Sequence, residues 1–182
     1  VRHCYKVPTV PGNPTSSTFA AMDSIHKFLS PPQGAWGRLY QTHSSTIATN
    51  TLIERRGAKV GLLTTAGFRD LFELQRLHLP HPMRYDSRRP APLIRRALVR
   101  EVRGRLDPSG AELDPLDGDG VVAAARDLRD AGADFCVICF IHSYKNPAHE
   151  QAARELIRER VPDLRVELSS AVWPHAREFE RA

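Results

Sequence analysis

Short apolar runs along this chain alternate with longer amphipathic stretches, and glycine or proline bounds both kinds of segment. The apolar runs have the length and composition of β-strands, and the amphipathic stretches have the period of α-helices. Strands are predicted over residues 5–10, 36–42, 59–64, 134–141 and 165–168, and helices over residues 14–29, 45–56, 119–131, 147–160 and 172–179. Strands that alternate with helices of this length predict an α/β sandwich with a largely parallel sheet.

Residue types at the ends of these segments sharpen the predicted helix boundaries. Asn13-Pro14 and Asn146-Pro147 each place a capping side chain before a proline, which suits the first position of a helix. Gly57 follows the second predicted helix at the C′ position, where glycine ends helices in a left-handed conformation, and Gly132 ends the third.

Residues 66–116 are less regular than the rest of the chain. Four prolines interrupt the stretch, namely Pro80, Pro82, Pro90 and Pro92. Residues 98–105 and 111–116 flank the turn sequence Asp107-Pro108-Ser109-Gly110, which predicts a hairpin. A chain of 182 residues has the length of one domain, so we expect residues 1–182 to form a single domain with this stretch as an excursion.

Charge and hydropathy exclude two classes of partner. The formal net charge of +5 suggests nucleic-acid binding, but the arginines neighbour acidic residues, as in Arg126-Asp127 and Arg154-Glu155. Such pairs are typical of solvated helix faces, whereas a nucleic-acid surface has a basic cluster interleaved with aromatic residues. No apolar run approaches the length of a transmembrane helix. We therefore expect neither a nucleic-acid nor a membrane partner.

The start of the chain and its cysteines bear on its setting. The first residues lack the apolar segment of a signal peptide and an initiator methionine, so we expect an excerpt or a processed chain.

Three cysteines cannot all pair within the chain, which favours a reducing, cytoplasmic setting. Cys136 and Cys139 form C-x-x-C inside a predicted strand, where positions three apart point to opposite faces. We therefore interpret them as separate core residues.

Polar residues follow the predicted strands where an open α/β sheet binds its ligands, beyond the carboxyl ends of the strands. These segments are Thr42-His43-Ser44-Ser45-Thr46, Thr64-Thr65-Ala66-Gly67, His142-Ser143-Tyr144-Lys145-Asn146 and Ser169-Ser170. In a parallel sheet their hydroxyl and imidazole groups would gather at one edge, which we call the rim.

Each candidate at the rim has a functional and a structural interpretation. The helix start at Ser44–Thr46 can bind phosphate or carboxylate through its free N–H groups, or its serines can simply cap the helix. His43 is either an acid–base group or a hydrogen-bonding partner of a loop, and His142 either functions or fixes the turn after its strand. His149 and Glu150 are predicted to lie on the surface of a helix. The sequence presents no carboxylate pair, metal-ligand cluster or nucleophile elbow, so no catalytic or metal-binding residue is assigned.

A known motif is matched by two consecutive segments, namely His43-Ser44-Ser45-Thr46-Ile47-Ala48-Thr49-Asn50 and residues 52–70. They resemble the pattern H-G-T-T-x-A-T-N…L-x-E-R-x-G-A-x-x-x-L-x-T-x-G-F-R-D of the hydantoinase A/5-oxoprolinase N-terminal domain. Residues 89–90, 114–117, 141–150 and 169–181 follow in order. They resemble the family's R-R-P, L-x-P-L-D, H-S-Y-x-N-P-x-H-E and S-S-x-x-x-P-x-x-R-E-Y-E-R elements. The resemblance covers essentially the whole chain.

This resemblance implies an actin-like, ribonuclease-H-type ATPase domain, with a mixed sheet and helices on both faces. It also implies part of an ATP-dependent hydrolase of cyclic amides, of the 5-oxoproline or hydantoin type. The expected cofactors of the complete enzyme are ATP and Mg²⁺, which serve to phosphorylate a carbonyl or enol oxygen. The expected partners are the remaining segments of the enzyme, a hydantoinase B-type subunit or domain, and a small cyclic amide or ketone. A ketone carboxylase subunit and a non-catalytic assembly module are the alternatives.

The chain departs from the family pattern in two ways. It lacks the D-x-G-G-T-x-T-D phosphate loop and the second lobe, so we expect no tight binding of ATP to this chain alone and leave open whether it is itself an enzyme. Ser44 stands where the pattern has glycine. An incomplete sheet would leave an open edge, which predicts self-association or pairing with another segment. The residues predicted to contribute to binding at the rim are His43, Ser45, Thr46, Asn50, Thr64 and His142.

Overall fold

The computed structural model describes residues 6–8, 10, 12–29 and 46–182. The chain divides into two compact units, Val1–Thr46 and Ile47–Ala182. The predicted strand over residues 36–42 and part of the one over residues 5–10 lie outside the described residues. The helices in the described part of the chain include none that is long and apolar enough to cross a membrane.

The first unit contains one described helix, α1 (Pro14–Leu29). It begins as predicted, because the Oδ1 atom of Asn13 accepts a hydrogen bond from the Ser16 N–H at 3.2 Å. Pro14 then takes the first helical position, where its missing N–H leaves no hydrogen bond unmade. The capping signal in the sequence therefore located this helix correctly.

The second unit contains six strands, six α-helices and two short 3₁₀ turns. In chain order they are α2 (Ile47–Glu54), β1 (Val60–Thr65), α3 (Leu71–Leu74), β2 (Val99–Val102), β3 (Arg105–Leu106), β4 (Glu112–Asp114), α4 (Gly118–Asp130), β5 (Phe135–Cys139), α5 (Ala148–Arg160), β6 (Arg165–Leu168), α6 (Ser169–Val172) and α7 (Glu178–Arg181). The 3₁₀ turns are Gln75–Leu77 and Arg96–Leu98. The predicted alternation of strands and helices is confirmed.

Four of these strands form a parallel sheet in the order β2-β1-β5-β6. Helices α4 and α5 cover one face of it, over the fully buried side chains of Leu63 and Ile138. The contact is close at Gly61, where an added Cβ would lie 2.8 Å from the Leu128 side chain of α4. Shape as well as hydrophobicity therefore fixes how α4 lies on the sheet.

The opposite face carries shorter helices. Phe72 of α3 and Phe179 of α7 pack edge to face with their ring centroids 6.2 Å apart. Phe72 also lines a groove of about 420 Å³ together with Val60 and Val137 of the sheet. Helices on both faces of a parallel sheet confirm the predicted α/β class.

The predicted hairpin over residues 98–116 is only partly correct. Residues 99–102 form β2, which pairs in parallel with β1 and belongs to the main sheet. The hairpin itself joins only β3 and β4, and its turn forms as predicted around Asp107, whose Oδ1 accepts from the Ser109 and Ala111 N–H groups. Within the described residues, antiparallel pairing is confined to this separate ladder, and the four strands of the main sheet pair in parallel.

Two predicted helix ends are also corrected. Helix α2 ends at Glu54, and Arg55 rather than Gly57 takes the C′ position, because Arg55 adopts the left-handed conformation with φ of 53°. The Arg55 and Arg56 N–H groups donate to the Leu52 and Thr51 carbonyls, which is the Schellman pattern. The helix predicted over residues 172–179 is replaced by α6 before it and α7 at its end.

The two C-x-x-C cysteines lie in β5 with no exposed surface, and both are free thiols. Cys136 faces Gly61 across the ladder and Cys139 faces Thr64, so they lie on opposite faces as predicted. Burial raises the pKa of the Cys136 thiol to about 12 and that of the Cys139 thiol to about 11. Both are therefore protonated core residues at neutral pH.

Candidate functional site

The rim is the edge of the sheet at which β1 and β5, its two central strands, end side by side. Thr65 is the last residue of β1, and its Oγ1 accepts a hydrogen bond from the Ile141 N–H at 3.1 Å, just beyond β5. The carboxyl ends of these strands are therefore tied to each other by a side chain. Parallel pairing places the segments that follow β1, β2, β5 and β6 at this edge.

The segment after β5, residues 140–146, forms what we call the β5 turn. Its first three N–H groups lie beyond the strand ladder, and each donates to a side-chain oxygen instead. The Phe140 N–H donates to Glu150 Oε1 at 3.0 Å, the Ile141 N–H to Thr65, and the His142 N–H to Glu178 Oε1 at 3.3 Å. Side chains of α5, β1 and α7 thus supply the hydrogen-bond acceptors that backbone carbonyls of a neighbouring strand supply within the ladder.

His142 has a strained backbone within the β5 turn. Its φ is 57°, in the left-handed region, which costs a non-glycine residue roughly 1–2 kcal/mol. Its ring packs edge to face against Tyr144, with centroids 6.2 Å apart. The buried His142 Nδ1 and the buried Ser143 Oγ have no hydrogen-bond partner among the residues that the structure describes. Unpaired buried polar atoms on a strained backbone are typical of functional sites.

Glu150 is fully buried, although the sequence predicted a surface residue. Its Oε1 accepts from the Phe140 N–H and from the Ser169 hydroxyl at 2.7 Å. Its Oε2 accepts from the Ser170 N–H at 3.0 Å and from the Ser170 hydroxyl at 2.6 Å. Four donors therefore occupy both carboxylate oxygens, which explains how a charge is accommodated inside the protein.

Arg181 supplies a buried positive charge on the other side of Ser169. Its Nε donates to the Ser169 Oγ at 2.9 Å, and the same hydroxyl donates to Glu150. Its Nη2 donates to the Phe140 carbonyl at 2.7 Å. Glu150 and Arg181 therefore hold the N–H and the carbonyl of one residue, Phe140. We call Glu150, Ser169, Ser170 and Arg181 the buried network.

His149 is also buried, which corrects the second surface prediction. Its Nε2 lies 2.7 Å from Glu112 Oε2 on β4, so it ties the start of α5 to the hairpin. The two corrections have one cause. Positions 149, 150, 153 and 157 lie on one helical face, and Ala153 and Ile157 are core residues. The helical period of the buried positions therefore indicated that residues 149 and 150 are buried, but their polarity led to the prediction of a surface location.

The turn after β1, residues 66–70, is held from outside the core. Glu101 Oε1 accepts from the Gly67 N–H at 2.7 Å and from the Arg69 N–H at 3.2 Å. Asp70 forms an exposed ion pair with Arg96, and the hydrogen bond from Arg96 lowers the pKa of the Asp70 carboxyl. Surface charges therefore hold this turn together with backbone hydrogen bonds such as that from the Ala66 N–H to the Val102 carbonyl at 2.9 Å.

A cavity of about 600 Å³ opens at the rim beside Thr65. Its other walls are residues 103–105, which lead from β2 into β3, and residues 114–117, which lead from the end of β4 to α4. We call it the rim cavity. Gly104 lies in its wall with φ of 134°, and a Cβ there would come within 2.9 Å of the Leu116 backbone. Only glycine fits this close approach without strain.

The rim cavity contains charges of both signs. Arg103 and Arg105 line it, and the Arg105 guanidinium also lies over the Phe68 ring at 5.8 Å. Asp114 and Asp117 line it too, and one Asp117 oxygen caps α4 by accepting from the Gly120 N–H at 2.9 Å. No group of three or more metal-ligand residues occurs in the described ranges. Arginines suit phosphate or carboxylate oxygens, and one or two carboxylates suit Mg²⁺ already held by phosphate, so the cavity fits either group.

The predicted rim residues have different locations. His142 lies in the β5 turn, and Thr64 is buried in β1 beside Cys139. Asn50 is exposed on α2, and Thr46 is exposed just before it. His43 and Ser45 lie outside the described residues. The structure thus brings the ends of β1 and β5 together, and Thr65 rather than Thr64 makes the contact.

Several residues of the site were not predicted as such. Thr65, Glu178 and Arg181 contact the β5 turn or the buried network, and Arg103 and Arg105 line the rim cavity. The family-like elements over residues 141–150 and 169–181 contain Glu150, Glu178 and Arg181. The motifs therefore pointed to these residues, but did not indicate that any of them is buried. Nothing in the local sequence distinguishes the two cavity arginines from the many surface arginines.

Comparison with known proteins gives a consistent result. The hydantoinase/oxoprolinase N-terminal region profile matches residues 1–161. Caprolactamase subunit alpha of Pseudomonas jessenii is 38% identical over 141 residues, which are 76% of this chain and 20% of that subunit. The chain therefore spans about a fifth of the length of this relative.

Two solved structures share the fold. A nucleotide-free structure of acetone carboxylase, an enzyme of ATP-dependent acetone carboxylation, superposes with a TM-score of 0.84 at 29% identity, over 94% of this chain and 26% of that one. The ATP-dependent caprolactamase from Pseudomonas jessenii superposes with a TM-score of 0.78 at 32% identity, over 97% and 26% respectively. With the parallel sheet described above, these matches confirm the predicted fold class.

Proposed function

Because this chain belongs to the hydantoinase/oxoprolinase N-terminal region family, we propose that it is part of an ATP-dependent cyclic-amide hydrolase of the 5-oxoproline or hydantoin type. The observation that best supports this is the rim cavity, which lies at the carboxyl edge of a parallel sheet, where α/β proteins bind their ligands. The similarity to an ATP-dependent caprolactamase supports the same reaction class, since caprolactam is also a cyclic amide.

The chemistry explains why such a hydrolase uses ATP. Amide resonance makes the ring carbonyl a poor electrophile, so water attacks it slowly. ATP with Mg²⁺, when bound, supplies a phosphoryl group to the carbonyl oxygen, which makes that oxygen a good leaving group. The protein contributes mainly by positioning groups and by stabilising charge.

In this proposal the residues of the rim have separate roles. Arg103 and Arg105 hold anionic oxygens in the rim cavity through charge-assisted hydrogen bonds. Asp114 is the lining carboxylate available for a cation, since Asp117 already caps α4. His142 presents an imidazole, the side chain most often used for proton transfer, from the neighbouring β5 turn.

The test is ADP release by the complete protein, purified with any chain that accompanies it. Mg²⁺–ATP is supplied with 5-oxoproline, hydantoin or caprolactam, and the ring-opened product is detected by mass spectrometry. We expect lactam-dependent ADP release that falls about tenfold or more in an R103Q/R105Q double variant, by analogy with the loss of one charge-stabilising donor. R158Q is the matched control, because Arg158 lies on the exposed side of α5 beside Glu155. The absence of ADP release with every ring would contradict the proposal.

A ketone carboxylase subunit is the second candidate, and the superposition on acetone carboxylase favours it. An assay of ATP consumption separates the two, because a carboxylase consumes ATP with a ketone and bicarbonate and not with a lactam. If neither a lactam nor a ketone causes ATP to be consumed, a non-catalytic assembly module is the remaining candidate function.

We also propose that the chain acts together with further segments and a hydantoinase B-type partner in a cytoplasmic enzyme. The relative named above is one subunit of a caprolactamase, which supports a multi-subunit assembly. Titration of residues 1–182 alone with Mg²⁺–ATP is expected to show no tight binding. Tight binding would contradict the view that other segments complete the site.

A further inference from the structure

The β5 turn has an unusual source of hydrogen-bond acceptors. Phe140, Ile141 and His142 are consecutive, and each donates its N–H to a side-chain oxygen at 3.0–3.3 Å. The three acceptors belong to three separate elements, α5, β1 and α7. A turn that merely connects two elements normally satisfies its amides within its own backbone or with water.

This arrangement fixes the residue that follows. Phe140 is held at both its N–H and its carbonyl, and the next two amides are held at their N–H groups. His142 then adopts φ of 57°, a conformation that persists only where the surroundings determine it fully. The backbone of His142, and with it the direction in which the side chain leaves the chain, is therefore held by side chains of three other elements.

We propose that Glu178, assisted by Thr65 and Glu150, is a positioning residue that holds the His142 imidazole in place at the rim. This inference rests on the proposed function, in which His142 serves proton transfer or binds the ligand. A proton-transfer group must be placed to within a fraction of an ångström, which explains why a strained backbone would be retained here. Glu178 acts through the His142 backbone, whose N–H it accepts at 3.3 Å.

Glu178 is the best of the three acceptors to change. Glu150 is fully buried among four donors, and its loss would disturb folding itself. The side chain of Glu178 is 22% exposed, and Arg181, which it also approaches, keeps its bonds to Ser169 and Phe140. E178Q retains an oxygen that can accept the His142 N–H, whereas E178A removes it. E180A is the matched control, because Glu180 lies on the same helix and pairs with Arg76 rather than with the β5 turn.

The experiment measures amide hydrogen exchange and steady-state kinetics on the complete protein. In E178A we expect the peptide containing residues 140–142 to exchange about five- to tenfold faster, the ratio that corresponds to one net hydrogen bond. We expect kcat for ADP release to fall about tenfold while KM for ATP changes less, because the imidazole is misplaced and the ATP contacts remain. E178Q should restore both quantities, and E180A should leave both unchanged.

Three results would overturn the inference. Unchanged exchange in E178A would show that Glu178 does not hold the turn. Faster exchange with unchanged kcat would show that the held turn does not serve catalysis. An equal effect in E180A would indicate a general loosening of α7. If the complete protein shows no ATP-dependent activity with any substrate, the proposed function fails, and the exchange measurement still decides whether Glu178 holds the turn.

Discussion

Two turns lie next to each other at the rim, and they are held in opposite ways. The turn after β1 is fixed by Glu101 and by the Asp70–Arg96 ion pair, all of which are exposed or half-exposed. The β5 turn is fixed by the buried network, by Thr65, which is also buried, and by Glu178, whose side chain is 22% exposed. Both turns follow a central strand of the same parallel sheet.

The two turns use similar kinds of bond in different locations, and we expect location to set the strength of these interactions. Water competes for the exposed carboxylates of the first turn, so each interaction contributes little to stability. Removing one partner inside the core leaves the others unsatisfied, and the penalty is several times larger. The β5 turn is therefore the rigid part of the rim, and the β1 turn is the part that tolerates change.

The largest expected effect is that of E150A. Four donors lose their acceptor inside the protein, so the free energy of unfolding should fall by about 3–5 kcal/mol. Chemical denaturation measures it, with E159A on the exposed side of the same helix as the control. A loss below about 1 kcal/mol would mean that water replaces Glu150 and that the two turns do not differ.

The next effect concerns the strained His142. Glycine adopts a left-handed φ without penalty and alanine does not, so H142G should be about 1 kcal/mol more stable than H142A. Both variants lack the imidazole and should lose activity alike, which separates backbone strain from function. Equal stability of the two variants in denaturant unfolding would show that the turn relaxes when the ring is absent.

A smaller effect is expected at Glu101 in the turn after β1. E101A removes the acceptor of the Gly67 and Arg69 N–H groups, which water can replace, so the loss should be about 0.5–1.5 kcal/mol. E101Q keeps an acceptor oxygen and should lose less. Thermal and chemical unfolding of the pair check this, and a loss as large as that of E150A would remove the contrast between the turns.

The smallest effect belongs to the Asp70–Arg96 ion pair. Arg96 lowers the pKa of Asp70 below its ordinary value of 3.8, so the stabilisation is present above that pH and is lost as the pH falls through the folded-state pKa. High salt should screen it at any pH, because both side chains are about half exposed. Unfolding of wild type and D70N should therefore differ slightly at pH 7 in low salt and converge at pH 2 or in 1 M salt. A difference that persists in 1 M salt would contradict this.

The sequence predicted the fold well where the signal was local. Strand β6 was placed correctly at Arg165–Leu168, and α1 and α5 began near their Asn-Pro signals, because these features depend on a few neighbouring residues. The prediction was wrong for β2, because the strand with which it pairs, β1, lies much earlier in the chain. The turn residues that follow β2 favoured a hairpin instead. The left-handed Arg55 was missed because glycine, the usual residue there, stood two positions later.

The candidate site was predicted in outline only. Reading the residues after each strand led to His142 and to the end of β1, because the carboxyl edge of a parallel sheet is a general feature of the fold. The buried state of Glu150 was missed, since its burial depends on Ser169, Ser170 and Phe140, which contact it only in the folded protein. A single sequence gives polarity at each position and not the partners that neutralise it.

The first turn of α5 has a mechanical consequence. His149 holds Glu112 of the hairpin whose β4 strand leads into the wall of the rim cavity, and the adjacent Glu150 holds the β5 turn. Because neighbouring residues of one rigid helix make both contacts, a sliding or tilting of α5 would displace the cavity wall and the imidazole together. A displacement of the start of α5 would therefore change the two parts of the rim at the same time.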